Sequence, residues 1–179
     1  MAHELIMAVS VIKGMRHANK FALEDWGDVF KGNLGIALPD TFGSTAFFED
    51  FNGYLARLFD GVRHDSGDPY VFGEKVIAHY RNLRIDPLSK VIVFSDGLNP
   101  ELGADLTRYF AGRIKVSLGI GTNLTNDFLN SKALNIVIKL ATCNGVPVVK
   151  LSDVMTKAIG DKDALRVARW IFNQTPLDA

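Results

Sequence analysis

Three short apolar segments, each ending in polar residues, most constrain what this chain can fold into. An extended segment ends in RHDS at 63–66, the apolar run at 91–97 ends in Ser-Asp-Gly, and the run at 114–122 ends in Gly-Ile-Gly-Thr. Apolar spacing predicts helices over 70–83 and 102–110, between these segments. Strands that alternate with helices are typical of βα units around a mostly parallel sheet, so the fold class we predict is α/β.

The sequence before these units predicts further helices and one strand. The first 30 residues have helical spacing, and a short strand at 34–38 stops before Asp40. Thr41 is in position to cap the helix that follows, and Asn52-Gly53 interrupts that helix. This part of the chain is therefore expected to be mainly helical.

The last third of the chain has a different pattern. Two β-rich runs flank Asn144-Gly145, which is the strongest short signal for a β-hairpin. Asp161 or Asp163 is expected to cap a final helix. Because a closed α/β barrel usually needs about 250 residues, this chain of 179 residues predicts a partial irregular barrel with a C-terminal hairpin and helix. We expect residues 1–179 to form a single domain.

Composition argues against several classes of protein. The chain has 20 Lys and Arg and 20 Asp and Glu, so its net charge is zero, unlike that of a dedicated nucleic-acid binder. The chain has one cysteine, Cys143, which excludes an intramolecular disulfide and a zinc cluster built on cysteines. The apolar runs are too short to span a bilayer, and no basic segment precedes the apolar N-terminal stretch. We therefore expect a cytoplasmic protein with neither nucleic acid nor membrane as partner.

The glycine-rich loop at 119–122 suggests a phosphate site. Gly119 and Gly121 would let backbone N–H groups approach a phosphate closely. The Thr122 hydroxyl and the start of a following helix would add donors. A turn without a ligand accounts for the same residues, because G-x-G alone is a weak signal.

The segment RHDSGDP at 63–69 gathers charged residues at a strand end. Asp65 is suited to accept hydrogen bonds from sugar hydroxyls or to hold Mg²⁺, and Arg63 is suited to an anion or a planar ring. Asp68 more simply caps the helix that begins at Pro69. The alternative for the whole segment is a solvated loop with a helix cap.

Asp96 stands at the end of the next apolar strand. An acid there is a common catalytic or diol-binding residue, whereas the alternative is that Asp96 or Asn99 caps the following helix. Ligands of open α/β sheets lie at the carboxyl ends of the strands. We therefore expect the three polar strand ends to form one pocket.

Several sequence blocks, in order, make the chain resemble the nicotinate phosphoribosyltransferase family. The blocks are MAHE at the start, GVRHDSGDP at 61–69, GEKVIAHY at 73–80, IDPLSKVIVFSDGL at 85–98, GIGTNLT at 119–125, and LNIVIKL with NGVPVVKLSD between 134 and 153. The resemblance implies a type II phosphoribosyltransferase that makes nicotinate mononucleotide and pyrophosphate from nicotinate and phosphoribosyl pyrophosphate. It also implies ATP hydrolysis through a phosphorylated histidine, a role in NAD biosynthesis, Mg²⁺, an irregular α/β barrel with an added N-terminal domain, and frequent dimers.

The resemblance also assigns roles to individual residues. His3 matches the histidine that is phosphorylated, and Arg63 matches the arginine beside the pyridine ring and the pyrophosphate. Asp65 and Asp96 match acids that face the ribose and its metal ion. The implied catalytic residues are His3, Arg63 and Asp65, and the implied substrate-binding residues are Arg63, Asp65, Ser66, Asp96, Gly119, Gly121 and Thr122.

The chain departs from the family pattern in two respects. Family members carry a long segment before the histidine block, with the N-terminal domain, the first barrel strands and an aromatic residue that stacks on nicotinate, and we expect these to be absent here. Leu5 stands where the family often has Trp. Because part of a barrel leaves open strand edges and an uncovered apolar face, we expect a homo-oligomer or a complex with a separate N-terminal half.

Other functions stay open at this point. One is a non-catalytic fragment or subunit that binds a phosphosugar. Another is an unrelated phosphate-binding barrel enzyme, such as an aldolase or isomerase, that uses a lysine at a strand end. The lysines available to it are Lys90, Lys115, Lys139 and Lys150. We rank this function last, because none of these lysines lies in the polar strand ends. A metal hydrolase built on His64 and Asp65 would need more histidine ligands than the strand ends supply.

Overall fold

Helices and short strands alternate through the part of the chain that the structure describes. The computed structural model describes residues 1–134 and 136–174. In chain order its elements are α1 (His3–Ile12), α2 (Ala18–Phe30), β1 (Ile36–Ala37), α3 (Ser44–Asp50), α4 (Gly53–Leu58), β2 (Gly61–His64), α5 (Pro69–Asn82), β3 (Val91–Phe94), α6 (Pro100–Phe110), β4 (Lys115–Leu118), α7 (Thr122–Thr125), β5 (Thr142–Cys143), β6 (Val146–Pro147) and α8 (Lys162–Ile171), with 3-10 turns at Pro39–Thr41, Pro87–Ser89 and Met155–Lys157. Within these ranges no helix has the length and apolar composition that crossing a membrane requires.

A parallel sheet organises the main body of the molecule. Its strands lie in the order β1-β2-β3-β4, and every neighbouring pair is parallel. Helix α5 connects β2 to β3, and α6 connects β3 to β4, so the βα units predicted from the sequence are confirmed. The mixed α/β fold with a parallel sheet is thus confirmed. The barrel stays a prediction, because the described strands of this sheet form a linear row of four.

The main hydrophobic core lies between this sheet and the helices that cover it. It includes the inward-facing strand residues Val62 and Ile92 and several aromatic rings. Phe47 and Phe51 stack with their ring centroids 4.8 Å apart. Aromatic pairs of this kind contribute about 0.5–1.5 kcal/mol beyond the area that they bury.

A second core cluster joins the two ends of the chain. Ile6 of α1 packs in it with Leu151, which follows the C-terminal hairpin. Phe42, just after the turn that follows β1, stacks on Phe172 with centroids 4.8 Å apart. This cluster fixes α1, and hence the N-terminal histidine, beside the end of β1.

The N-terminal predictions are correct in part. The first 30 residues are helical but form two helices, and Gly14 adopts a left-handed φ of 103° between them. The prediction that Thr41 caps the next helix is wrong, because Gly43 occupies the N-cap position of α3 and the Thr41 hydroxyl contacts His3 instead. Asn52 does interrupt the helical region, and its side chain caps α4.

The helix caps predicted at strand ends and near the C-terminus agree with the structure. Asp68 accepts backbone hydrogen bonds at the start of α5, and Asp161 does so at the start of α8. Of the two candidates for the cap of α6, Asn99 is the one that caps it. Asp96 is thereby left available for another role.

The C-terminal hairpin is confirmed, but most of the described β-rich run before β5 is not in a strand. Asn144 and Gly145 join β5 to β6, and both have the positive φ that a type I′ turn requires. Residues 134 and 136–140 have no strand structure, so the prediction of β structure there is wrong for them, and Asn135 lies outside the described residues.

An apolar segment between α7 and the hairpin lies on the surface. Phe128, Leu129, Leu134, Ile136 and Ile138 are each more than two-thirds exposed. Strand β4 stands at the end of the row of described strands, so one of its edges is open there. Exposed apolar runs and open strand edges are typical of surfaces that another chain or segment covers.

We expect Gly73→Ala to destabilise the fold, although alanine usually favours a helix. A Cβ at Gly73 of α5 would lie 2.1 Å from the ring of Phe110 in the core. Overpacking of this kind typically costs about 1–3 kcal/mol. Gly103→Ala on α6 is the matched control, because its methyl group meets the flexible end of Leu118. Urea unfolding measures both variants, and equal midpoints would contradict the prediction.

We also expect the free energy of unfolding to fall when the pH drops below 6.5. Burial lowers the folded-state pKa of both His64 and His79 from the ordinary value of 6.5. Below pH 6.5 the unfolded chain then binds more protons than the folded chain. The contribution of these two histidines to stability is therefore complete above pH 6.5 and is lost as the pH falls towards their folded-state pKa values. Denaturant midpoints at about pH 7.5 and about pH 5.5 measure the loss. His79→Gln should make this loss of stability smaller. A denaturant midpoint that does not change with pH would refute the prediction.

Candidate functional site

The polar residues that end the parallel strands lie along one edge of the sheet. Asp40 follows β1, Asp65 and Ser66 follow β2, Asp96 follows β3, and the glycine-rich loop at 119–122 follows β4. The carboxyl ends of parallel strands meet at the same edge. The structure thus brings the predicted acids and the predicted phosphate loop to one side of the molecule.

The His3 ring is buried between two side chains from these strand ends. Its Nδ1 lies 2.9 Å from the Thr41 hydroxyl oxygen, and its Nε2 lies 2.8 Å from Oδ2 of Asp65. The residue is only 3% exposed. Both ring nitrogens are therefore held by residues distant in sequence.

These two contacts fix which nitrogen of His3 carries the proton. Burial lowers the pKa of His3 although the bond to Asp65 opposes it, so the imidazole is neutral at neutral pH. Burial alone would raise the pKa of Asp65, but the hydrogen bond from His3 and nearby cations lower it on balance, so this carboxylate is ionised and only accepts. Nε2 therefore donates to Asp65, and Nδ1 keeps a lone pair that accepts from the Thr41 hydroxyl.

A second acid, Asp40, forms a buried ion pair next to this histidine. Its oxygens accept from the Ser66 hydroxyl at 2.6 Å, from the Ser152 hydroxyl at 3.0 and 3.1 Å, and from the backbone N–H of Asp153 at 2.8 Å. Nζ of Lys150 lies 2.7 Å from Asp40 Oδ2. Asp40 is 3% exposed and Lys150 is 5% exposed. The carboxylate is therefore both neutralised and fully hydrogen-bonded.

Arg63 adds positive charge on the other side of Asp65. Its Nη2 lies 3.5 Å from Asp65 Oδ1, the oxygen that His3 does not contact. The Nε of Arg63 is buried and has no hydrogen-bond partner among the described residues. About a third of the side chain is exposed. The exposed part of this guanidinium is suited to bind an anion.

A cavity of about 180 Å³ lies where the glycine-rich loop meets the end of β3. It is lined by Ser95, Gly97, Leu98, Gly119, Gly121, Thr122 and Asn123. A Cβ at Gly121 would meet no atom within 4 Å, so the backbone of the loop faces open space there. A Cβ at Gly119 would lie 3.2 Å from the Ser95 side chain, so a larger residue would crowd the cavity wall. The predicted phosphate loop therefore lines a cavity that a small anion can enter.

Asp96 is paired with a cation of its own. Nζ of Lys157 lies 2.8 and 2.9 Å from the two carboxylate oxygens of Asp96. Asp65 accepts from His3 and faces a guanidinium. Because each acid is already neutralised by a different partner, the residues present do not fit a Mg²⁺ ion held jointly by Asp65 and Asp96.

A different set of ligand atoms does come together, around His3. In the part of the chain that the structure describes, His3, Asp40 and Asp65 offer atoms that all lie within 4.8 Å of one another. Lys150, however, is 2.7 Å from Asp40 and 3.9 Å from Asp65. The ammonium group already supplies the positive charge that a metal ion would bring, so this set does not fit a metal ion either.

The position of Lys150 corrects one inference from the sequence. The sequence placed Lys150 away from the polar strand ends, but its Nζ lies 3.9 Å from Asp65 because the segment after the hairpin folds back onto this edge. Lys90 is buried elsewhere and donates to the backbone carbonyls of Arg57 and Phe59. The site therefore contains a lysine, and this lysine comes from the segment after the C-terminal hairpin and not from the end of a parallel strand.

His64 lies outside the set of ligand atoms around His3. Its ring is buried, with centroids 5.1 Å from Phe72 and 5.7 Å from Phe94, and its Nε2 lies 3.2 Å from the Gly67 carbonyl oxygen. Within the described ranges the set of potential ligand atoms leaves His64 out. A metal site built on His64 and Asp65 therefore has no support in the geometry.

The sequence did not predict Asp40, Thr41 or Ser152 as site residues, and it offered Lys150 only for an unrelated barrel enzyme. Asp40 had a usable signal, because LPD at 38–40 ends the first strand as the other polar clusters end theirs. Ser66, predicted to bind substrate, is buried and donates to Asp40, so in this structure it supports the ion pair.

Comparison with known proteins gives one consistent family. The model of the nicotinate phosphoribosyltransferase (NAPRTase) family matches residues 1–176. The nicotinate phosphoribosyltransferase of Methanosarcina mazei is 55% identical over 179 residues, which are 98% of this chain and 44% of the relative. That of Acinetobacter baylyi is 52% identical over 174 residues, which are 96% of this chain and 42% of the relative. The chain thus spans less than half the length of these relatives.

Solved structures agree with the sequence relatives. The nicotinate phosphoribosyltransferase of Vibrio cholerae is 47% identical with a TM-score of 0.94, over 99% of this chain and 44% of that one. The enzyme of Porphyromonas gingivalis is 42% identical with a TM-score of 0.91, over 96% of this chain and 46% of that one. With a family match over nearly all of its sequence and the same fold in these structures, the chain belongs to the nicotinate phosphoribosyltransferase family.

Proposed function

We propose that this chain contributes the phosphoribosyl site and the phosphohistidine of a nicotinate phosphoribosyltransferase. In the proposed reaction, nicotinate and phosphoribosyl pyrophosphate give nicotinate mononucleotide and pyrophosphate, with ATP hydrolysed as co-substrate, in NAD biosynthesis from nicotinate. The observation that carries the proposal is a neutral histidine, held at both nitrogens, on the same sheet edge as Arg63 and the glycine-lined cavity.

The cavity at the end of β4 is the proposed site of the 5′-phosphate. Gly119 and Gly121 keep its wall free of side chains, and Thr122 adds a hydroxyl beside it. Asp96 stands at the end of the neighbouring strand and is proposed to accept from the ribose hydroxyls. Since Lys157 now holds both oxygens of Asp96, the ribose would replace that ammonium group.

Arg63 and Asp65 are proposed to act on the bond that breaks. The Arg63 side chain is about a third exposed, and its guanidinium is suited to the pyrophosphate as it leaves C1 of the ribose. The sugar then carries positive charge, which the ionised Asp65 favours. The pyridine nitrogen of nicotinate attacks C1. These groups position the reactants and stabilise charge, and no covalent bond to either residue is needed.

His3 is proposed to accept the γ-phosphoryl group of ATP. The lone pair on Nδ1 attacks phosphorus, the bond to the ADP oxygen breaks, and the Thr41 hydroxyl must release Nδ1 for this to happen. The imidazole becomes positively charged as the P–N bond forms. Asp65, which accepts from Nε2–H, stabilises that charge and keeps the ring oriented.

Mg²⁺ is proposed to enter with the substrates. Phosphoribosyl pyrophosphate and ATP both offer phosphate oxygens, which usually supply a large share of the ligands of Mg²⁺ in such sites. This placement agrees with acids that are already paired with Lys157, Arg63 and Lys150.

The complete site is proposed to need a further part of the enzyme. The chain spans 44% of the Methanosarcina mazei relative, and the aromatic residue expected to stack on nicotinate belongs to the segment that precedes the match. Another subunit of an oligomer, or a separate N-terminal half, would supply this aromatic residue. The alternative is a non-catalytic subunit that binds a phosphosugar at the glycine-lined cavity.

We expect the chain to associate through its exposed apolar segment. Light scattering at micromolar concentration should give a mass above that of one chain, because Leu129, Ile136 and Ile138 are strongly exposed and β4 has an open edge. Replacing Leu129 and Ile138 by Lys should shift the mass towards the monomer. A monomeric chain that also fails to bind the preceding segment of a relative would contradict this expectation.

We expect nicotinate mononucleotide to form when the chain is combined with the segment that precedes the matched region in the Methanosarcina mazei relative. The assay contains nicotinate, phosphoribosyl pyrophosphate, Mg²⁺ and ATP. His3→Ala should abolish the stimulation by ATP, and Asp65→Asn should lower the rate by roughly two orders of magnitude. Lys13→Ala, which removes an exposed ion pair with Asp25, is the control and should keep full activity.

The same assay separates the two candidate functions. Stimulation by ATP that survives His3→Ala would contradict the role proposed for His3. Binding of phosphoribosyl pyrophosphate without any product would favour the non-catalytic phosphosugar subunit.

A further inference from the structure

Lys150 lies between two carboxylates of the site and has no part in the reaction proposed above. Its Nζ is 2.7 Å from Oδ2 of Asp40 and 3.9 Å from Oδ2 of Asp65. Oδ2 of Asp65 is also the oxygen that accepts from His3. The ammonium group is therefore a cation shared by the two acids, one residue away from the imidazole.

The two acids differ in their freedom to move. Asp40 is 3% exposed and accepts from Ser66, Ser152 and the N–H of Asp153, so its carboxylate is fixed. Ser152 has a left-handed φ of 68°, which places its hydroxyl on Asp40 at some cost in backbone conformation. The Asp65 side chain is 25% exposed. If the balance of charge changes, Asp65 is the acid that moves.

The two carboxylates are close enough to repel each other. Oxygens of Asp40 and Asp65 lie within 4.8 Å, in a partly buried site where charges are weakly screened. Lys150 offsets this repulsion because it is in contact with Asp40 and near Asp65. Without its charge, Asp65 would turn away from Asp40, towards Arg63 and solvent.

We propose that Lys150 is a positioning residue, whose charge keeps Asp65 on Nε2 of His3 and so fixes the imidazole with its lone pair on Nδ1. The inference rests on the role proposed for His3, and it adds a residue that acts on His3 only through Asp65. Removal of Lys150 releases Asp65, and the His3 ring then loses the partner that sets its orientation and its tautomer.

Lys90 provides a matched control inside the same chain. It is also a buried lysine, but its Nζ donates to the backbone carbonyls of Arg57 and Phe59, at 3.0 and 2.6 Å. Loss of Lys90 therefore weakens the fold near the start of β2 without changing the charge beside His3. A general loss of stability and a specific loss of positioning can thus be told apart.

The proton on Nε2 of His3 reports the position of Asp65 directly. In the chain labelled with ¹⁵N-histidine, this proton should give a downfield resonance that exchanges slowly with water, because the ring is buried and the proton is donated to a carboxylate. The variant His3→Gln assigns the resonance among the four histidines. The His64 and His79 signals show whether each variant is folded.

We expect Lys150→Met to speed the exchange of this proton by about tenfold or more, which corresponds to the loss of one hydrogen bond to a charged group. Lys150→Gln should have the same effect while it keeps a donor to Asp40, so it remains informative if the Met variant does not fold. Lys90→Met should leave the exchange unchanged. The double variant Lys150→Met/Asp40→Asn removes both the cation and the fixed anion, so the slow exchange should return.

Two results would overturn the inference. One is a folded Lys150→Gln variant in which the His3 proton exchanges as slowly as in the parent chain. The other is faster exchange in Lys90→Met, or in the folded double variant, to the same extent as in Lys150→Gln. Neither result depends on turnover. If the chain is inactive but the exchange of its His3 proton depends on Lys150, the proposed function is refuted and this inference stands.

Discussion

The burial of the Asp40 carboxylate is the constraint on which the rest of the site depends. A buried acid must be paired and hydrogen-bonded, because an uncompensated charge in the interior is strongly destabilising. Asp40 meets this need with Ser66 after β2 and with Lys150, Ser152 and Asp153 after the hairpin. These contacts tie two strand ends to the C-terminal segment, and His3 is held in the space that they leave.

Much of the architecture follows from local sequence patterns. Alternating apolar runs and helical spacing predict the βα units, and Asp68, Asn99 and Asp161 cap helices as their positions suggest. The rule that ligands gather at the carboxyl ends of parallel strands places Asp65 and Asp96 on the correct edge. These predictions work because each depends on a few neighbouring residues.

The pairs that complete the site are not predictable in this way. Lys150 and Asp40 are far apart in the chain, and the sequence around each residue does not indicate that the other is its partner. Thr41 has the local signature of a helix cap, yet tertiary contacts turn its hydroxyl towards His3. Residues 134 and 136–138 belong to a run that the sequence predicts to be β structure because it is rich in β-branched and apolar residues. They are exposed and not in a strand, since local composition does not determine strand pairing.

The hydrogen bond between Ser152 and Asp40 joins residues 112 positions apart in the chain. Contacts of such high sequence separation form slowly, because a long loop must close before they contribute. The four described strands of the parallel sheet end at Leu118, so they can pair before the segment around Ser152 has docked. During synthesis the histidine therefore acquires its final surroundings late, because Lys150 and Ser152, which fix Asp40 beside it, are made after all four strands.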